Sequence, residues 1–450
     1  MATQPALQTI PGAREPLVIG SMYAFRKDPL GLLVRLAGEF GDVGQFHYGP
    51  ARVYLFNSPE LVRSVLVEHA DAFDKGLFFH NAFRPVVGNG LVNAEGEFWR
   101  GQRKLIAPSF QPRRITVYAE TMAAYSEQQQ QGWAEGAVID ISQEMTRLTM
   151  RIVGKVLFDS EVLTETDELG AANSAALQRV GYALRHFFPI PLSWPTPRNR
   201  RTRAALALIH RRVQAMIAER RASTVERDDF LSILLRAQAD DGTRMSDAQV
   251  RDEAATLFLG GYESTAATLS WTFYQLATHP DIYARVQQEV DSVLQGRTPT
   301  DADLPGLPYT LQVFKESMRL YPPGWIINRV ALHDVTVAGI PLRKNQPVMM
   351  SVYTIHRRPE FYPDPERFDP DRFLPENEKR LPRHAYLPFG AGPRICIGSH
   401  FALLEAHLIL ATLVQRVKFD LVPGQQIVPE PVLTIRQKPG CRVVVRRRAT

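Results

Sequence analysis

Cysteine is almost absent: 450 residues hold two, Cys396 and Cys441. So few thiols exclude a disulfide framework and point to a reducing compartment. One sulfur cannot make a structural zinc site either, since zinc wants about four ligands. Long apolar runs are missing as well. No window approaches the ~18–20 apolar residues of a membrane span. The first thirty residues carry Pro5, Pro11, Pro16 and Pro29 with several charges, and no secretory leader is visible. The expectation is a cytoplasmic protein with no membrane anchor. A strong charge of one sign is lacking too: 53 basic and 47 acidic residues leave +6. The basic runs Arg446-Arg447-Arg448 and Arg198-Asn199-Arg200-Arg201 have no interleaved aromatics. Nucleic acid is therefore not an expected partner, and a basic face for an acidic electron-transfer protein fits better. Repeats and low-complexity linkers are also missing, so the three domains that length alone would suggest find no boundaries.

What is present is a large apolar fraction, 45% of residues, and one unusual loop. Phe389 to Gly398 reads Phe-Gly-Ala-Gly-Pro-Arg-Ile-Cys-Ile-Gly, and an apolar helical pattern starts at Ser399. Glycines give backbone conformations and close approach that side chains forbid. A helix N-terminus favours a thiolate over a thiol. The loop thus offers one exposed, low-pKa sulfur on a glycine-lined shelf. Cys396 could be a nucleophile, or the single protein ligand of a metal that brings its other ligands along. Cys441 reads as a stray thiol.

Upstream, the apolar spacing of Asp28 to Phe40 predicts a helix. Val43–Tyr48 and Arg52–Phe56 flank Gly49-Pro50 as a hairpin. Ser58-Pro59 opens another helix, with Ser as N-cap and Pro in the first turn. Phe73 to Val92 is rich in Phe and Gly and shows little periodicity, so it reads as an irregular loop. Trp99 and Arg103 are four apart and share a helix face. They could grip a carboxylate or form a cation–π surface pair. Helical patterns fill most of residues 115–235, broken by Phe187-Phe188-Pro189-Ile190-Pro191.

Ser246 to Thr278 is the longest helical candidate. Its centre reads Gly260-Gly261-Tyr262-Glu263-Ser264-Thr265. Two mid-helix glycines cost about 1 kcal/mol each against alanine. They could let the hydrogen-bond ladder open beside an acid and two hydroxyls, which is a local proton-delivery unit. They could equally mark a close helix–helix contact. Glu316 and Arg319 are three apart on a later helix and can pair. Strand-like stretches lie near 326–350 and 418–447.

These residues resemble the cytochrome P450 family. Phe389, Gly392, Arg394, Cys396 and Gly398 fit its Phe-x-x-Gly-x-Arg-x-Cys-x-Gly signature, a known haem–thiolate case. Trp99-x-x-x-Arg103, Gly260 to Thr265, Glu316-x-x-Arg319 and Pro365-Glu366-Arg367-Phe368 follow in the family's order. The resemblance implies one mainly α chain of triangular-prism fold with a small β-rich region, a single haem domain over 1–450 without a fused reductase. It implies haem b held through Cys396, with Phe389 in the cysteine loop. Trp99, Arg103, Arg329 and Arg394 would meet the propionates. Glu263 with Ser264 or Thr265 would deliver protons. Ser264 stands where the family usually has threonine, so the resemblance leaves open which hydroxyl acts. Glu316, Arg319 and Arg367 would form a buried triad.

The implied activity is oxygen insertion into a hydrophobic small molecule, using O2 and electrons from a separate ferredoxin, flavodoxin or flavin reductase. Phe78, Phe79, Phe83, Trp325 and Ile326 suggest an apolar pocket. A long-chain fatty acid is the first expectation, with a terpenoid, steroid or polyketide as the alternative. Peroxide-driven relatives usually carry Arg-Pro in place of the acid–alcohol pair, which disfavours a peroxygenase and a lipid-peroxide isomerase. A haem sensor would need an effector module.

Overall fold

The computed structural model describes residues 10–13, 20–159, 166–186, 188–224, 227, 229–238, 242 and 244–448. Pro5, Pro16 and Phe187 lie outside them. The organising element is the 32-residue helix Asp247–Thr278. Ser246 caps it with a reciprocal capping box to Gln249. This helix is buried on most sides: Val250, Leu257, Leu269, Phe273 and Leu276 all sit in the core. A helix apolar all round belongs in an interior. Each fully buried Leu or Phe contributes about 1.5–3 kcal/mol. The helices Ile141–Phe158, Pro308–Leu320 and Ser399–Arg416 share its core.

β-structure is confined to the margins. Five strands form a mixed sheet in the order Val43–Tyr48, Ala51–Phe56, Pro347–Ser351, Ile326–Ala331, Phe73–Asp74. The first two make the expected hairpin, with Tyr48 opposite Ala51 across Gly49-Pro50. Gly49 has φ +60°, a conformation glycine adopts freely. Val417–Leu421, Arg442–Arg447 and Val138–Asp140 form a second sheet, and Val428–Pro431 with Ile435–Lys438 a separate hairpin. The cap expected at Ser58 holds, and Asp28 caps the helix Pro29–Phe40 as well. Asp28 accepts from Gly31 N at 2.9 Å and Ser58 from Leu61 N at 3.3 Å.

Three expectations need correction. Residues 76–87 are not an irregular loop but a helix, Gly76–Val87. Phe79 and Phe83 are one turn apart and stack at 4.2 Å. Their spacing was periodic, but Pro85 and the flanking glycines obscured it. Arg367 does not lend its side chain to the Glu316–Arg319 pair; it is exposed and gives only its carbonyl. The second arginine near Glu316 is Arg372, at 3.4 Å. Trp325 packs with Phe25 and Leu30 in a separate core, and Phe78 faces Tyr48. Both cysteines are free, and Cys441 is buried.

Candidate active site

The Cys396 loop is shaped by its glycines. Gly390 and Gly392 have φ +74° and +70°, and a Cβ on Gly392 would lie 1.8 Å from the Leu66 carbonyl oxygen. No other residue fits there. The Cys396 amide donates to the Phe389 carbonyl at 2.9 Å, closing the turn. Cys396 is exposed as a residue, while desolvation at its sulfur pushes the thiol above the ordinary range. The Gly398 amide and Arg103 act the other way without winning. The upward direction is opposite to the low pKa that the helix terminus alone suggests, because desolvation outweighs it. Among the described residues no cluster of three or more His, Cys, Asp or Glu could hold a metal ion.

Beside the loop stands a cluster of cations. Arg394 lies over the Trp99 ring at 4.0 Å, and Arg103 lies over the same ring at 5.9 Å. Arg394 also donates to the Ala94 carbonyl at 2.8 Å and pairs with Glu95. Lys75 reaches the other Glu95 oxygen at 3.0 Å, and His80 stands 3.7 Å from it. Arg329, on the strand Ile326–Ala331, is pushed down to about 10 by burial and then by Arg394. Burial likewise pushes Lys75 down to about 8. Among the described residues, Glu95 and Asp74 are the acids that act on Lys75, Arg329 and Arg394, and Arg103 stands toward Cys396. Cations withdrawn from water need paired charge. Two further carboxylates would balance the set, and haem carries two. The donor set fits the group that the resemblance implies. Lys75 and Glu95 were not singled out in the sequence; a lysine between Asp74 and Gly76 in an aromatic stretch was the available signal.

The central helix carries the other candidates, and its two faces differ. Gly260 is exposed mid-helix, and a Cβ on it would meet nothing within 4 Å. Gly261 is the opposite: a Cβ would lie 3.2 Å from Val153 on the neighbouring helix. The close-contact reading is therefore realised at Gly261, while Gly260 borders open space with no opening of the hydrogen-bond ladder. The helix runs through unbroken. Ser264 donates to the Gly260 carbonyl at 3.1 Å on the open face. Thr265 is buried, donates to the Gly261 carbonyl at 3.4 Å, and lies beside Glu405. Glu405 is fully buried, neither carboxyl oxygen has a partner of good geometry, and burial holds its carboxyl well above the ordinary range.

Glu263 turns away from both hydroxyls. Its Oε1 accepts from Thr434 at 2.8 Å and from Arg436 at 2.7 Å. It also lines a cavity of about 320 Å³ together with Arg436, Arg147, Tyr262, Ser270 and Gln437. The structure thus gathers Trp99, Arg103, Arg329, Phe389, Arg394 and Cys396 on one side. Glu263, Ser264 and Thr265 lie on the central helix, pointing three ways. Arg436 escaped notice because it is 173 positions from Glu263 in the chain.

Comparison with known proteins agrees with this geometry. The family model described as Cytochrome P450 matches residues 10–442. The chain is 39% identical to a cyclooctat-9-en-7-ol 5-monooxygenase of Streptomyces melanosporofaciens, covering 92% of this chain and 90% of that protein. It is 36% identical to a pentalenene oxygenase of Streptomyces avermitilis, covering 95% and 94%. A crystal structure of a cytochrome P450, CYP102L1, superposes with a TM-score of 0.87 at 25% identity, covering 99% of this chain and 100% of that one. Among the described residues no helix is long and apolar enough to cross a membrane.

Proposed function

The chain belongs to the cytochrome P450 family and is a monooxygenase, and from that premise we propose that it oxygenates a polycyclic terpenoid. The observation that carries the substrate class is the pair of relatives named for pentalenene and cyclooctat-9-en-7-ol, matched over nine-tenths of their length or more. Both names denote polycyclic terpenoids. This displaces the fatty acid that the sequence first suggested. The reaction inserts one atom of O2 into the substrate and reduces the other to water, consuming two electrons and two protons. The electron donor is a separate ferredoxin, flavodoxin or flavin reductase. We read the chain as a single haem domain and a cytoplasmic protein.

Cys396 would hold the iron of haem b through its sulfur, with Phe389 packed in the same loop. Arg103, Arg329 and Arg394 would hold the propionates, and Trp99 would fix Arg394 by stacking. Bound haem supplies the oxidising chemistry, and the thiolate tunes it. The rest of the work falls to the chain. Ser264 is the hydroxyl on the open face, held by the Gly260 carbonyl, so it orients the proton donor. Glu263 lines the 320 Å³ cavity next to Arg436 and would take up protons there, one residue before Ser264 in the chain. Thr265 sits on the packed face and serves the fold.

The test is turnover. Holoenzyme with NADPH, a ferredoxin and its reductase should convert a polycyclic terpenoid to a product one oxygen heavier. Palmitate should give little, and peroxide alone should support little turnover. Turnover of palmitate only would overturn the substrate class; turnover with peroxide only would overturn the electron route.

A further inference from the structure

Two cations and a histidine converge on one carboxylate beside the cysteine loop. Glu95 Oε1 accepts from the Lys75 ammonium at 3.0 Å and from the Lys75 amide at 3.3 Å, and His80 Nε2 stands 3.7 Å from it. Glu95 Oε2 pairs with Arg394. Three chain segments meet there. Lys75 and His80 come from the helix Gly76–Val87 and its start, and Arg394 from the loop of Cys396. Glu95 stands at the start of the helix Gly96–Ile106, which carries Trp99 and Arg103. It holds the N-cap position of that helix, yet its side chain makes no cap bond. A side chain there usually accepts from an amide of the first turn. This one turns to the cations instead. The other acid nearby, Asp74, is engaged by the Gly76 amide at 2.9 Å. Burial weakens the hold of Lys75, Arg329 and Arg394 on their protons, and Glu95 opposes that at all three.

We propose that Glu95 is a positioning residue that holds Lys75 and Arg394 for the haem propionates and sets the net positive charge around the haem. This rests on the haem reading above and adds a consequence for electron transfer. One electron from the separate donor takes ferric iron to ferrous. A nearby carboxylate makes that electron harder to add, and a nearby cation makes it easier. Lys75, Arg103, Arg329 and Arg394 favour reduction, while Glu95, Asp74 and the two propionates oppose it. Glu95 pairs with two of those cations at once, so it fixes where their charge sits as well as offsetting it. A residue that only tied chain segments together would alter stability and leave the reduction potential unchanged.

The test measures the reduction potential of substrate-free holoenzyme by spectroelectrochemical titration, in wild type, Glu95→Gln, Glu95→Asp and Lys75→Met. Glu95→Gln keeps an acceptor for Lys75 and Arg394 but removes the charge. It should raise the potential by about 59 mV, a tenfold shift of a one-electron equilibrium toward the ferrous form. Glu95→Asp keeps the charge and should stay near wild type. Lys75→Met removes a cation and should lower the potential, and it stands in if Glu95→Gln fails to fold. An equal or lower potential in Glu95→Gln overturns the role of Glu95, as does an unchanged potential in Lys75→Met. A wild-type chain that takes up no haem overturns the haem reading instead.

Discussion

Two of this protein's acid–arginine pairs, Glu316–Arg319 and Glu263–Arg436, do different work. Glu316 and Arg319 are both 0% exposed. Arg319 uses all five of its N–H donors: two on the Glu316 carboxylate, three on the carbonyls of His356, Pro365 and Arg367. Glu316 in turn accepts from Asp369 N at 2.9 Å. The pair stitches three chain segments with nothing left over. Glu263 and Arg436 are looser. Their side chains are 8% and 29% exposed, and the cavity of about 320 Å³ adjoins them. Thr434 and Arg436 both engage Oε1, and Oε2 is held by neither. A saturated pair is a rivet. A pair with a spare oxygen beside a polar cavity can exchange protons.

The comparison can be broken at several points. The largest effect should come from Glu316→Ala, which strands a buried guanidinium. A loss of about 3–5 kcal/mol is expected by denaturant unfolding; a loss under 1 kcal/mol would mean that the pair is no rivet. Glu263→Gln should come next, but in activity. The fold should hold to within about 1 kcal/mol, while product formed per O2 consumed falls on the order of 10²-fold. A large loss of stability with coupling intact would make it a second rivet.

Glu253 sharpens the contrast, because it is buried with no arginine at all. It accepts from Leu91 N at 2.8 Å, and burial pushes its carboxyl from 4.5 up to about 7. Its folded-state value is raised, so the folded chain keeps a proton that the unfolded chain has released. Stability is full below pH 4.5, falls as pH rises to about 7, and then levels off. Glu253→Gln keeps an acceptor for Leu91 and cannot ionise. Above neutral pH it should be more stable than wild type by up to about 3 kcal/mol, with a flatter profile. Parallel profiles for the two proteins would show that Glu253 is not the titrating group. The smallest effect should follow Arg436→Gln. Thr434 still holds Glu263, so stability should change by under about 1 kcal/mol, with coupling reduced only in part.

Much of this was legible in the sequence, for physical reasons. Caps and turns are local, so Ser58-Pro59 and Gly49-Pro50 announced themselves. Cys396 was legible because a lone sulfur among three glycines has few other uses. Spacing also tied Gly260 to Ser264 and Gly261 to Thr265, since residues four apart share a helix face. It could not say which face is open. That depends on Val153, more than a hundred residues earlier. Arg436 and Arg372 were hidden for the same reason: their partners arrive from distant segments. The helix Gly76–Val87 was missed because a stretch rich in Phe and Gly showed little periodicity, while the stacking of Phe79 on Phe83, one turn apart, is visible only in the fold.

The central claim is that one face of the helix at 260–265 does chemistry and the other holds the fold. The most direct measurement compares Ser264→Ala with Thr265→Ala in holoenzyme, reading product per O2 consumed and thermal midpoint together. Ser264→Ala should lower the product ratio several-fold and leave the midpoint unchanged, while Thr265→Ala should lower the midpoint by about 1 °C per kcal/mol lost and keep the ratio. Uncoupling by Thr265→Ala with Ser264→Ala silent would contradict the assignment of the two faces.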